Sequence, residues 1–463
     1  MTLAGKIRDG LSLRVLTPLA RIQRSVRPAT SPILRAYWQG LRFRRQTQRW
    51  DNIRRERWIL ERLRHCVRYA YRETSFYREK YDHIGFDPFS DFDFDDFAQL
   101  PLLTREEVQA HGENMLARSV PVNQVKKDAT GGSTGKPMEV WLGPNEQGWS
   151  ASSKDCFRRQ IGVPEGVRTG LLWGHHLDPK ASESLRDRWT AFSSNTYWFD
   201  SMRLSPHLLE SYHQMFQRWR PSCIIAYASA LGYLAEHVLS RNHQPNYPTR
   251  CFITGAEKLW SRHRQLIEKA FHRPVHEIYG ARDAPYIAMQ LEPMRTLDFT
   301  VDWTSSFVEP ETQVGESAIL ITKLQADAMP MIRYRIGDLA RFPSGSEPGH
   351  PAFTIEEILG RTTDRLWLPD GRWISGIQIP HLLKDFPVRE FLLLQRQDYS
   401  IELQLVPQKN FDEDCRLSIS ETLKANLPGL PTSIRLTDSI SRNTANKWRP
   451  VICEVAQLSE STR

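Results

Sequence analysis

A chain of 463 residues with 40% hydrophobic and 25% charged residues is long enough for two or three domains and a substantial core. That balance belongs to soluble globular proteins, and no apolar run approaches the roughly 20 residues needed to span a bilayer. The net charge of +8 is unevenly placed: residues 1–80 carry 20 Lys/Arg against 6 Asp/Glu, and the remaining 383 carry 42 against 48. Six cysteines (66, 156, 223, 251, 415 and 453) form no C-x-x-C pair, which argues against a zinc site or a disulfide framework and for a reducing, cytoplasmic setting. Arg8 and Arg14 interrupt the apolar patch near the N-terminus, so no secretory signal is expected.

In the first 50 residues Asp9 is the only acid among 11 basic residues. Three readings stand side by side: a solvated basic helix, a segment on anionic lipid or nucleic acid, and an Arg-rich transit peptide. Leu3, Ile7 and Leu11 among Lys6, Arg8 and Arg14 favour a membrane surface over the transit reading, because helical, aromatic-bearing sequence continues without a break. Residues 46–82 read as helix, with Trp50, Ile53, Trp58, Leu60, Leu63, Val67 and Tyr71 at helical spacing. Asp87–Phe97, acidic and aromatic, reads as an irregular surface connection. Thr104 followed by Glu107 reads as a capped helix start.

The most distinctive stretch is Asp128–Leu142, DATGGSTGKPMEVWL. Gly131, Gly132 and Gly135 free the backbone to turn its N–H groups toward one point, and Ser133, Thr134 and Lys136 add donors suited to polyphosphate. A P-loop it is not: Pro137 follows the lysine, disfavours helix there, and leads into the strand Met138–Leu142. A flexible glycine turn between two strands is the plain alternative.

Beyond it, short apolar strands alternate with helices: Thr169–Trp173, Ser222–Tyr227, helix Ser229–Leu239, Cys251–Thr254, helix Leu259–Phe271, and Val275–Ile278. Such alternation implies right-handed crossovers and parallel strands, so the loops after each strand share one edge, where open α/β sheets bind ligands. The loops Tyr227-Ala228-Ser229, Gly255-Ala256-Glu257 and Tyr279–Asp283 are therefore expected to be neighbours. Ser317–Thr322 reads as a strand, and Met331–Asp338 as an alternating strand ending in a Gly-Asp turn. Leu366–Leu368 reads as one arm of a hairpin turning at Pro369–Arg372. Strand-like stretches and a helix near Glu413–Ala425 then suggest a small α+β domain from about residue 361.

Taken together, Thr130–Pro137, Gly255–Glu257, Tyr279–Asp283, Pro330–Asp338, Gly360–Asp364 and Asn446–Arg449 resemble, in order and spacing, the motifs of the adenylate-forming (ANL) superfamily. The phenylacetate–CoA ligase/CapK-like branch is the nearest in pattern, and the resemblance covers roughly residues 58–455. It implies three regions: a basic helical extension (1–57), a large AMP-binding α/β domain (58–360) and a small mobile α+β domain (361–463). It also implies ATP-dependent activation of a small-molecule carboxylate as an acyl-adenylate, then transfer to CoA or another acceptor thiol. AMP transfer to a small molecule in a capsule-type pathway, and a non-catalytic relative docking through its basic N-terminus, are the alternatives. No nucleic-acid partner is expected, and residues 1–57 are the expected site of any peripheral membrane contact.

By the same resemblance, Thr130, Gly131, Gly132, Ser133, Thr134, Gly135 and Lys136 hold the β- and γ-phosphates of ATP, and Asp283 holds Mg²⁺. Gly255, Ala256, Glu257, Tyr279 and Gly280 line the adenine pocket, Asp338 and Arg361 meet the ribose, and Arg372 contacts phosphate. Lys447 reaches the α-phosphate and the attacking carboxylate, and the small domain swings about a hinge near Thr363-Asp364. Trp173, His175, His176 and Tyr227 lie where the acyl group is expected. Four departures mark this chain: Asp283 where Glu is usual, Asn446 where Gly is usual, Gly132 where Ser or Gly alternates, and no cysteine cluster between Arg335 and Gly360.

Overall fold

The computed structural model describes residues 31–130, 138–164, 166–173, 195–201, 204–313, 315–361, 365–369, 373–375, 378–383, 386–427, 429–440 and 451–455. The chain divides into two compact units, Met1–Ile336 with Ala340–Ile358, and Gly337–Leu339 with Leu359–Arg463.

Three helices open the described part of the first unit: α1 (Pro32–Thr47), α2 (Asn52–Glu73) and α3 (Ser75–His83). The single helix expected over 46–82 is broken twice. Asp51 and Thr74 turn their side-chain oxygens onto the N–H groups of Arg54 and Tyr77 and start new helices. Helix α2 buries Ile59, Leu63, Cys66, Val67 and Ala70 along one stripe, whereas Ile53, expected on that face, is 69% exposed. The stretch 87–97 is also not the surface connection expected. It leads into α4 (Phe94–Ala98) through a capping box of Asp93 and Asp96, and it sinks Phe92 and Phe97 into the core, where Phe97 meets Phe307 edge-on. Helix α5 (Arg105–His111) has the capping box that Thr104 and Glu107 promised.

Strands β1 (Lys126–Thr130) and β2 (Met138–Leu142) pair antiparallel, with Thr130 opposite Met138. Helix α6 (Pro144–Gln160) packs on α1, and the two backbones come so close that a Cβ on Gly148 would stand 2.4 Å from the carbonyl oxygen of Ile33. The basic segment is thus no free arm over residues 32–47. Arg44 donates to Asp302, Ser152 and Ser305, each at 2.6 Å, and its guanidinium lies over the Trp149 ring.

The central sheet is built from β3 (Thr169–Trp173), β4 (Thr196–Asp200), α7 (Pro206–Trp219), β5 (Cys223–Ala226), α8 (Ala228–Ser240), β6 (Cys251–Thr254), α9 (Ser261–Phe271), β7 (Val275–Tyr279), β8 (Ala288–Met289) and β9 (Phe299–Val301). The chain continues through β10 (Ser306–Pro310), β11 (Glu316–Lys323), β12 (Tyr334–Arg341), β13 (Thr354–Ile355) and β14 (Glu357–Arg361). Eight strands stand in the order β13-β9-β8-β7-β6-β5-β3-β4, and β3 through β7 are mutually parallel, as the strand–helix alternation requires. Ile224, Ala226 and Phe252 are fully buried among Leu231, Leu234 and Ile267 of the covering helices. A second sheet runs β10-β11-β12-β14. Gly337 and Asp338 lie inside β12, not in the turn expected there: a positive φ of 87° at Gly337 absorbs the irregularity and the strand continues to Arg341.

Ahead of β12, Arg333 pairs with Glu309, its Nε 3.0 Å from Oε1 and Nη2 3.1 Å from Oε2, and also donates to the carbonyls of Ala98 and Leu100. Both charged side chains are nearly water-free, at 6% and 0% exposure.

The second unit contains the hairpin β15 (Arg365–Trp367) and β16 (Trp373–Ser375), helix α10 (Gln378–Leu383), β17 (Val388–Gln395), β18 (Ile401–Pro407), α11 (Glu413–Asn426), β19 (Thr432–Leu436) and β20 (Val451–Cys453). Its sheet runs β19-β18-β17-β20 over a core of Leu393, Leu403, Leu405, Ile419 and Leu423. The buried Gln395 amide satisfies both the N–H and the carbonyl of Trp367, each at 2.7 Å, and so fixes the hairpin to that sheet. Among the described residues no helix is long and apolar enough to cross a membrane.

Arg333→Met should strand the Glu309 carboxylate and cost about 3–5 kcal/mol in urea unfolding, whereas Arg333→Met with Glu309→Gln should recover much of that loss.

Candidate active site

The loops that follow β5, β6 and β7 are neighbours, as the parallel topology demands. Glu257, three residues past the end of β6, accepts from the backbone N–H of Ser229 in the first turn of α8 at 3.0 Å. Gly255 N–H points to the Ala226 carbonyl at 3.4 Å. At the end of β3, the Trp173 ring stacks on Tyr227 with centroids 4.2 Å apart and planes 28° apart, so the two predicted acyl-side aromatics do meet. Ala256 sits in the left-handed region, φ 65°, a conformation that non-glycine residues hold only where the surroundings impose it.

After β7 the chain makes a tight reversal. Ala281 N–H donates to the Ala284 carbonyl at 2.9 Å, and Ile287 N–H to the Tyr279 carbonyl at 3.0 Å. Gly280 is required there, because a Cβ would lie 2.7 Å from the Tyr286 nitrogen. This reversal buries Asp283 at 3% exposure, and its Oδ2 accepts from the Tyr334 hydroxyl at 3.0 Å. The same hydroxyl lies 3.6 Å from the Met138 sulfur, at the start of β2. Arg282 reaches back to Asp128 on β1 at 3.7 Å. Tyr334, Met138 and Asp128 therefore join the strands flanking the glycine-rich segment to the loop that carries Asp283. None of the three was expected as a site residue. Tyr334 lies within the alternating Met331–Asp338 motif, and a buried tyrosine hydroxyl in need of a partner was the signal available there.

Asp338 and Arg361, both in the second unit, form an ion pair with Nε–Oδ1 3.0 Å; Asp338 is buried and Arg361 about half exposed. Thr130 closes β1, and its backbone is described. Gly131, Gly132, Ser133, Thr134, Gly135, Lys136, His175, His176, Arg372, Lys447 and the expected hinge at Thr363-Asp364 lie outside the described residues. For Mg²⁺, the donor chemistry fits: Asp283 offers a hard carboxylate, oriented by Tyr334, whose hydroxyl also meets Met138 at the start of β2. Mg²⁺ is commonly held by one or two carboxylates and completes its shell with phosphate oxygens and water.

No protein-family model matches the sequence. It is 21% identical over 331 residues to protein CapK of Staphylococcus aureus, covering 68% of this chain and 70% of that one. It is 24% identical over 319 residues to the phenylacetate-coenzyme A ligase of Pseudomonas putida, covering 66% and 70%. In fold it is similar to a crystal structure of 2-hydroxyisobutyryl-CoA ligase in the postadenylation state, with a TM-score of 0.68, 20% identity, and coverage of 88% of this chain and 90% of the other. The fold shared with that ligase is a large α/β unit followed by a small α+β unit. The chain's relatives lie in the phenylacetate–CoA ligase/CapK-like branch, as the motifs had implied.

Glu277, on β7 two residues before Tyr279, is buried and accepts from the Leu259 N–H at 2.9 Å. Burial pushes its carboxyl up to about 7, against the pull of that hydrogen bond and of the Arg264 and Lys258 charges. The folded value exceeds the unfolded one, so this contribution is complete below the usual carboxylate value of about 4.3 and is lost as pH rises through about 7. Glu277→Gln should therefore be more stable than the parent at pH 8, by about 2–3 kcal/mol, and match it near pH 4 in denaturant titrations.

Proposed function

We propose that this chain uses ATP to activate a small carboxylate as an acyl-adenylate, releasing pyrophosphate, and then passes the acyl group to a thiol such as that of CoA. The observation that carries this reading is the meeting at Asp283. There one tyrosine hydroxyl ties the loop after β7 and the start of β12 to the strand that follows the glycine-rich segment, and Arg282 ties the same loop to the strand before it. An adenylating site needs that junction, because a metal-binding carboxylate must face the same phosphates that the loop grips.

In the proposed reaction the substrate carboxylate attacks the α-phosphorus of ATP. One oxygen–phosphorus bond forms, and the bond to the departing pyrophosphate breaks. Thr130–Lys136 hold the β- and γ-phosphates with backbone N–H groups, hydroxyls and one ammonium, and so keep the leaving group in line. Gly255–Glu257, Tyr279 and Gly280 form one wall for the adenine, and Asp338 accepts from the ribose hydroxyls with Arg361 as its partner. Lys447 neutralises charge at the α-phosphate and on the attacking oxygen, and Arg372 adds a phosphate contact. Bound Mg²⁺ supplies charge neutralisation on the phosphates, with Asp283 as its protein ligand. Trp173 and Tyr227, stacked at the edge of the sheet, line the acyl side with His175 and His176. The CoA acceptor has support from the names of the phenylacetate-coenzyme A ligase relatives. The docked helix α1 lends no support to a membrane role for residues 1–57, since its Arg44 is spent on Asp302.

The test is ATP–pyrophosphate exchange across a panel of carboxylates. Exchange that depends on one carboxylate class is expected. AMP appearing on an added small molecule without such dependence would favour AMP transfer, and absence of nucleotide binding in calorimetry with and without Mg²⁺ would leave a non-catalytic relative. Lys447→Ala is expected to cripple exchange while leaving ATP binding intact. Asp283→Asn should lower the exchange rate at least about 100-fold, the scale for losing one preorganised electrostatic group. Tyr334→Phe should raise the Mg²⁺ concentration needed for half-maximal rate, because the carboxylate loses the hydrogen bond that orients it.

A further inference from the structure

Away from the strand-end loops, three metal-ligating side chains from separate elements converge. Glu210 lies on α7, His237 in the last turn of α8, and His243 in the loop that follows. Glu210 Oε2 is 2.9 Å from His237 Nε2 and 2.9 Å from His243 Nε2, and the three ligand atoms all lie within 4.8 Å of one another. We propose that Glu210, His237 and His243 form a binding site for a zinc-class divalent cation, a structural site separate from the nucleotide chemistry.

Two features favour a cation over a simple hydrogen-bonded cluster. First, two imidazole nitrogens from separate elements converge on one carboxylate oxygen, which gathers three ligand atoms of the zinc type in one place. An ion at the centre takes the place of both shared protons and uses all three atoms as ligands. Zinc bonds of about 2.0–2.1 Å in tetrahedral geometry put ligand atoms about 3.4 Å apart, so the 2.9 Å contacts need to open by only about half an ångström. Second, the ligands are held from behind. Gln214 Nε2 donates to the other Glu210 oxygen at 3.0 Å. The His243 ring stacks on His213 at 4.2 Å, and His213 Nδ1 in turn lies 2.9 Å from the Tyr247 hydroxyl. His243 N–H also donates to the Val238 carbonyl at 3.0 Å, which anchors the loop to α8. Such supporting contacts are what orient metal ligands.

The donor set selects the cation. Two imidazoles and a carboxylate suit zinc and its neighbours, whereas Mg²⁺ prefers oxygen alone. The site is reachable from solvent, with the Glu210 and His243 side chains 32% and 28% exposed and His237 forming the inner wall at 6%. Its place indicates its role. His237 is eight residues along α8 from Ser229, about 12 Å at the helical rise, so a cation there braces α7, α8 and the following loop rather than touching substrate.

The experiment is titration of the full-length chain with Zn²⁺ alone by calorimetry, with Co²⁺ as a spectroscopic stand-in that reports tetrahedral nitrogen–oxygen ligation by its visible absorption. One saturable site per chain is expected, together with a Zn²⁺-dependent rise in the thermal midpoint. His243→Gln, His237→Gln and Glu210→Gln should each weaken Zn²⁺ at least about 10–100-fold, the loss typical even of an outer partner. His207→Gln, an exposed histidine on the same helix, should leave it unchanged. Because His243 is partly exposed, His243→Gln is expected to fold with the parent's midpoint in the absence of metal. Failure of the parent to bind Zn²⁺ saturably, or binding that persists in all three ligand variants, overturns the proposal.

Discussion

One buried guanidinium carries much of the first unit's order. Arg333 meets Glu309 through two parallel hydrogen bonds and takes the carbonyls of Ala98 and Leu100, while Glu309 also accepts from the Gly349 N–H at 2.5 Å. Segments far apart in sequence are thereby locked to the start of β12. Leu103 joins them, its N–H donating to the Arg333 carbonyl and its carbonyl accepting from Arg335, so the apolar stretch before α5 runs as a short parallel bridge beside the strand. Desolvating two charges is costly, and only this many partners make the arrangement tolerable. The return is positional: Tyr334 is the next residue, and its hydroxyl can reach Asp283 only if the backbone ahead of it is fixed.

Local signals in the sequence were read well where they act locally. The Thr104 and Glu107 capping box, the alternation of strands and helices through residues 169–279, and the hairpin at β15 and β16 all follow from side-chain chemistry within a few residues. The adjacency of Glu257 and Ser229 also followed, because parallel topology places consecutive strand ends on one edge. Contacts closed by the fold as a whole were hidden. Tyr334 and Asp283 are 51 residues apart, and Arg44 and Asp302 are 258 apart; nothing in the spacing of either residue announces its partner. Composition misled at 87–97, where the aspartates suggested solvent although two of the phenylalanines between them are among the most buried in the molecule.

The same division explains the histidine cluster. Metal sites are legible when the ligands sit at fixed spacing on one segment, as in cysteine pairs or helical histidines. Here α7, α8 and a loop each bring one ligand, and the crossover geometry alone assembles them. The basic N-terminal segment was open to several readings for a similar reason: charge density is visible in a sequence, but the acid that answers Arg44 is not.

Glu257 has a consequence for where an anion can dock. A helix beginning at the edge of a parallel sheet is ordinarily a ready receptor for phosphate, through its free N–H groups and the positive end of its dipole. In α8 that seat is already taken by a carboxylate from the neighbouring loop, 3.0 Å from the Ser229 nitrogen. The chain thus fills this helix start with a side chain of its own. If the chain binds ATP as proposed, the phosphates would find this helix start already occupied.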